Sequence, residues 1–147
     1  MSRIYLPLPL KAPSQLTLTG EAHHYIAHVL RLQVGDPLFL FNGTSDEYEA
    51  TLIDIQKQRS LLEITRSRRV DKESPLHMTV AQAIPKGQKL DEMLPKITEL
   101  GVSAVQPLIT DRSDLKKVSE HKLKRWQKIV AHSAQQTGRT GVPVISK

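Results

Sequence analysis

Three histidines fall within six residues, His23, His24 and His28, and His24 and His28 stand four apart, on one face of any helix that carries them. Imidazoles at that spacing can ligate a metal. A site also needs a third ligand with its own support, and no HExxH-like carboxylate accompanies them. The sequence favours satisfied helix histidines, and no metal is expected. The chain has no cysteine, which excludes disulfides, thiolate metal sites and cysteine nucleophiles. It has neither the glycine fingerprint of a dinucleotide-binding fold nor a P-loop. No Ser/His/Asp grouping stands out, and triads are not legible from spacing alone.

The remaining candidates for chemistry are cations. The net charge is +6 with a pI near 9.7. Residues 76–147 hold 12 Lys and Arg against 6 Asp and Glu, whereas residues 1–75 balance at 9 and 9. An excess confined to one segment points to an anionic partner, nucleic acid foremost, with a solvated lysine-rich helix face as the alternative. Arg31 closes the first helix, where a cation either complements the helix dipole or contacts RNA. Arg66, Arg68 and Arg69 open a polar run ending at Pro75 that reads as a solvated interdomain linker, with Asp71 and Glu73 beside the arginines.

These side chains must be positioned by two kinds of element. Up to about Val70, short β-type pieces (Ile4–Leu6, Leu16–Leu18, Pro37–Phe41, Tyr48–Ile55, Ser60–Thr65) surround one helix. Thr19 is its expected N-cap, and Tyr25, Ile26, Val29, Leu30 and Leu32 recur at helical spacing. Asn42-Gly43 signals a turn, and the whole suggests a small, partly closed barrel. From Met78 the pattern becomes strand Met78–Ile84, helix Lys86–Leu100, strand Ala104–Leu108, helix Glu120–Thr137 and strand Val142–Ile145. Alternation of this kind predicts a parallel sheet, whose ligands sit beyond the carboxyl ends of its strands. Pro95 should kink the first of these helices, and Trp126 belongs to the core. The chain ends near the third strand, so part of that crevice is expected to be missing. The apolar N-terminal run is broken by prolines and no stretch reaches a membrane span; a cytoplasmic protein that engages no membrane is expected.

Taken together, HHYIAHVLRLQVGD (23–36), LFNG (40–43), QAIPKGQKLDEMLPKITELGV (82–102), DRS (111–113), RWQKI (125–129) and QQTGRTGVP (135–143) resemble the bacterial RsmE family. These are 16S ribosomal RNA uridine-N3 methyltransferases of the knotted SPOUT superfamily. The resemblance covers nearly the whole chain in the family's order. It implies a mixed α+β, α/β chain: a PUA-like β-barrel for RNA contact over residues 1–70, a linker over 71–75, and over 76–147 the N-terminal half of a SPOUT α/β methyltransferase domain. It further implies S-adenosylmethionine as cofactor, 16S rRNA of the small ribosomal subunit as partner, and a homodimer for the full-length form. The family's glycine-rich GPEGG-type loop and LG-x-RILRxETA-type segment do not occur here. Gln135 stands where the family commonly has Glu, and Pro95 where it commonly has another residue. The chain thus resembles a family member truncated before its knot, with no cofactor-binding residues of its own, and an RNA-binding module without catalysis is the alternative.

Methylating uracil N3 requires loss of its proton or stabilisation of the developing oxyanions at O2 or O4, with N3 in line with the methyl donor. Arginine suits that stabilisation because it stays charged and donates a planar fork. By motif, Arg112 and Arg139 are the catalytic candidates and also candidate RNA contacts. Arg112 has a rival reading as a partner of Asp111 or Asp114, and Arg139 as a helix C-terminal cation. Arg31, Lys86 and Lys89 complete the RNA-binding candidates, the two lysines either holding phosphate or simply facing solvent.

Overall fold

The computed structural model describes residues 1–70, 72–111 and 117–146. The chain divides into two compact units, Met1–Asp71 and Lys72–Lys147.

In the first unit, β1 (Ser2–Tyr5), β2 (Ser14–Thr19), β3 (Pro37–Phe41), β4 (Asp46–Ile55) and β5 (Arg59–Arg69) form one sheet in the order β1-β3-β4-β5-β2. Its β1–β3 pair is parallel and the remaining pairs are antiparallel. Strand alternation explains which residues it buries. Leu38 and Leu40, Ala50 and Leu52, and Leu62 and Ile64 share the inner face and join Ile4, Leu6, Leu18 and Ile26 in one core. Two register shifts between β4 and β5, at Glu49/Ala50 and Leu52/Asp54, bend the sheet around that core. Between β3 and β4, the Asn42 carboxamide oxygen accepts from the hydroxyl and backbone N–H of Thr44, and Gly43 takes φ 88.

The outer face of the same strands carries the charges. Glu47 is 1% exposed and accepts from Arg3 and Arg68; Arg66 forms a bidentate pair with Glu49. The guanidinium carbons of Arg3 and Arg68 lie 4.3 and 4.9 Å from the Phe41 and Phe39 ring centroids. The arginines expected in a solvated linker are therefore part of β5, and Arg66 and Arg68 pair with Glu49 and Glu47 of β4.

The helix of this unit is shorter than its periodicity suggests. Helix α1 (Gly20–His24) continues as a π-helical turn, Tyr25–Val29, in which the Leu30 N–H reaches Tyr25 O. Thr19 occupies the N-cap position without a side-chain cap bond. Arg31 lies beyond the helix in the left-handed region (φ 53), which swings Leu32 N–H onto Ile26 O at 3.1 Å.

In the second unit, β6 (Thr79–Ala83), β7 (Ala104–Leu108) and β8 (Val144–Ile145) form a parallel sheet in sequence order. Helices α2 (Lys89–Glu99) and α3 (Glu120–Thr137) lie between them in the chain, the crossover connections that parallel strands need. Leu90 and Leu94 of α2 and Trp126 and Val130 of α3 bury Val80, Val105 and Ile145 beneath them. Trp126 is 3% exposed, and its indole N–H donates to Asp91 Oδ1 at 2.8 Å, a core role. Helix α2 starts later than expected because Gly87 is left-handed (φ 70), leaving Gln88 as N-cap. Pro95 sits inside it, and its carbonyl accepts from Ser133 Oγ of α3 at 3.2 Å. Ser119 caps α3 by accepting from the Lys122 N–H, and Gly138 (φ 77) ends it.

Candidate functional site

In a parallel sheet all the strands enter at one end and leave at the other, so the loops that leave them converge. After β6 comes Lys86; after β7, Ile109; after β8, Ser146. At this carboxyl end, residues of β7 and its exit (Gln106, Pro107, Ile109), the start of α3 and the segment before it (Lys117, Ser119, Glu120) and Ser146 are among those lining a crevice of about 860 Å³. That is the position where open α/β sheets bind ligands. Lys86 and Lys89 are both exposed beside the end of β6, Lys89 in the first turn of α2. Arg112 lies outside the described residues.

Arg139 lies elsewhere. It precedes β8, so it belongs to the amino end of the sheet, opposite the crevice. Its guanidinium donates to the Glu73 carboxylate and to two backbone carbonyls. Nη2 and Nε donate to Glu73 Oε2 at 2.6 and 3.1 Å, and Nη1 donates to the carbonyls of Thr98 and Val102 at 2.8 and 2.9 Å. Those carbonyls belong to the last turn of α2 and the residues just beyond it, so Arg139 acts as a C-terminal cation on α2, not on α3. Glu73 completes the clamp: its Oε1 accepts the backbone N–H groups of Thr140 and Gly141 at 3.1 and 2.9 Å. Burial raises the Glu73 pKa, but the bonds from Arg139, Gly141 and Thr140 outweigh it, and the net shift is downward. Gly141 is closely approached: a Cβ there would meet the Glu73 carboxyl carbon at 3.0 Å, so the clamped carboxylate would have to give way.

Of the two catalytic candidates, the structure describes Arg139 alone. Arg139 orders the 138–143 loop at the amino end, and its geometry is that of a positioning residue. Glu73, read from the sequence as linker, is its principal partner across 66 residues. The signal that could have found it is weak: a lone carboxylate shortly before the first parallel strand.

In the first unit the predicted contact Arg31 is exposed. Its left-handed backbone costs on the order of 1 kcal/mol for a non-glycine residue, a feature that concentrates at functional sites. Around it along the chain lie exposed His24, His28, Val29 and Val34. His23 is buried with Nδ1 2.8 Å from Ser60 Oγ and meets the His28 ring edge-on at 6.3 Å, and the His24 and His28 rings lie tilted at 4.8 Å.

Two family models tile this chain in order. The RNA methyltransferase PUA domain matches residues 18–65 and the RNA methyltransferase domain matches residues 72–147. The chain belongs to the RsmE family of RNA methyltransferases. Among its relatives, the ribosomal RNA small subunit methyltransferase E of Synechocystis is 40% identical over 140 residues, covering 92% of this chain and 45% of the relative. That of Buchnera aphidicola from Acyrthosiphon pisum is 34% identical, covering 97% and 58%. The Neisseria gonorrhoeae enzyme, solved bound to S-adenosyl methionine, superposes with a TM-score of 0.91 at 35% identity, covering 99% of this chain and 61% of that one. The chain therefore spans about half the length of the curated relatives it matches. The PUA-like unit and the parallel-sheet α/β unit are the architecture the resemblance implied.

A nucleoside cofactor can be tested against the crevice as it stands. Gln106, Ser119 and Ser146 offer polar atoms and Lys117 and Glu120 one charge of each sign, beside the apolar Pro107, Ile109, Val118 and Leu123. Among the described residues, no aromatic ring and no glycine lines it. An adenine needs a flat apolar slot and the methionine carboxylate needs donors that converge. The described residues supply one wall of such a site and do not enclose the group.

Proposed function

We propose that the whole protein to which this sequence belongs methylates N3 of a uridine in 16S ribosomal RNA of the small subunit, using S-adenosylmethionine. The reading takes the protein as cytoplasmic and its full-length form as a homodimer. The observation that carries it is the tiling of the chain by the two family models in the family's order, with a TM-score of 0.91 to the Neisseria enzyme. The name of that enzyme and of the curated relatives supplies the substrate class, ribosomal RNA of the small subunit.

In this reading the present residues bind and orient the RNA. Lys86 and Lys89, exposed beside the carboxyl end of β6, hold phosphate as point charges, and Arg31 contacts RNA from the PUA-like unit. Arg112 comes after β7 in sequence and is the candidate for stabilising negative charge on O2 or O4 as N3 loses its proton. Arg139 supports the fold at the opposite end of the sheet. The cofactor supplies the methyl group, and the residues present contribute one wall toward holding it.

The test joins this chain to the C-terminal part of the Synechocystis relative and incubates the hybrid with unmodified small subunits and cofactor. An N3-methyl group blocks Watson–Crick pairing, so reverse transcription should halt at one uridine of 16S rRNA. A modification found instead on a different base or on a ribose would overturn the assignment.

A further inference from the structure

Between α2 and α3 lies a groove of about 680 Å³. Its floor is apolar, with Pro95 and Ile129, and its rim carries Lys124, Arg125 and Lys128 against the single carboxylate of Glu99. Arg125 is held by Asp91 at 2.6 Å and is still 50% exposed, so its orientation is fixed while its fork faces outward. His121 and His132 continue the same edge at its two ends. From 121 to 132 is about 17 Å of helix axis at roughly 1.5 Å per residue, with a basic side chain every one to four residues.

We propose that this groove is a second RNA-binding surface, which tracks the phosphate backbone of a single-stranded or flanking segment of the substrate RNA. The inference rests on the reading given under Proposed function and extends it to a second face of the helix layer. A line of cations matches a linear polyanion, whereas a single phosphate or carboxylate would call for donors that converge. The apolar floor suits ribose and base faces, which a purely solvated lysine face has no reason to provide. Helix α3 can carry these charges because its opposite stripe, Trp126, Val130, Ala131 and Ala134, is buried.

The test is fluorescence anisotropy of labelled small-subunit RNA fragments with the full 147-residue chain over a salt series. The variant Lys124→Gln/Lys128→Gln keeps good helix formers at exposed positions and should melt as wild type does. It should bind several-fold more weakly, and the slope of log K against log salt should flatten by about 1.4 if two single-strand phosphate contacts are lost. Lys86→Ala/Lys89→Ala serves as the comparison. If that pair weakens binding while Lys124→Gln/Lys128→Gln changes neither affinity nor slope, the groove proposal fails and the functional reading stands. If the wild-type chain shows no salt-dependent RNA binding at all, the functional reading itself fails. Sedimentation velocity provides the remaining arm: a change of oligomeric state in the groove variant with RNA affinity intact would assign the groove to a protein contact and overturn the proposal.

Discussion

Replacing Arg139 by alanine should destabilise the second unit while leaving its charge-driven RNA contacts in place. The side chain is 12% exposed and its Glu73 partner 26% exposed, so the pair is largely removed from water. Its loss leaves the Glu73 carboxylate without its cation and takes the guanidinium from the Thr98 and Val102 carbonyls, of which Thr98 keeps the Gly101 N–H. Breaking a buried ion pair costs about 3–5 kcal/mol, and partial exposure of Glu73 places this one at the low end, about 3 kcal/mol. For a unit of this size that corresponds to a fall in Tm of roughly 12–24 °C. The chain's single tryptophan, Trp126, lies in the core of this unit, so urea unfolding followed by its fluorescence reads the effect directly. Arg139→Lys should recover only about 1 kcal/mol, because an ammonium cannot serve the carboxylate and both carbonyls in one plane. A variant that unfolds at the wild-type urea concentration yet loses RNA affinity would refute this reasoning and make Arg139 a contact residue.

The same geometry fixes four further outcomes. Glu47→Gln should cost the first unit about 3 kcal/mol, since it strands Arg3 and Arg68 beside a buried amide, and faster hydrogen exchange of the β3–β5 amides measures it. The Glu73 pKa is lowered by folding, so its contribution is present above the unfolded value of about 4.3 and disappears as pH falls through the folded value; the stability gap between wild type and Arg139→Ala should therefore narrow in acid urea titrations, and a gap constant from about pH 7 to 2 would contradict it. Lys86→Ala/Lys89→Ala should flatten the salt dependence of RNA binding by about 1.4, a parallel loss at every salt concentration being the contrary result. Calorimetry of the isolated 147 residues with S-adenosylmethionine should give no binding heat, and micromolar affinity would show that one wall of the crevice is enough.

Much of the fold is legible where one local signal dominates. Pro37–Phe41, Ala104–Leu108 and Glu120–Thr137 carry continuous apolar runs or a clear buried stripe, and the structure gives them those bounds. Strand β5 runs past the end that apolar patterning assigns it, because Arg66–Arg69 has no apolar residue. What makes it a strand is cross-strand pairing with Glu47 and Glu49, whose period-two alternation matches that of Arg66 and Arg68. The π-helical turn at Tyr25–Val29 shifts the register by one residue, which a 3.6 periodicity cannot encode, and it leaves Val29 exposed. At the site, the placement of Lys86 and Lys89 is readable from their position after a strand. The setting of Arg139 is not readable for the converse reason: it precedes β8, and its Glu73 partner is remote in sequence.

The most direct test of the central claim is the 3-methyluridine content of 16S rRNA in cells whose gene for this sequence is disrupted. Nucleoside mass spectrometry should show the modification lost, and returned when the gene is supplied again. An unchanged 3-methyluridine level, with a different modified nucleoside missing, would contradict the account.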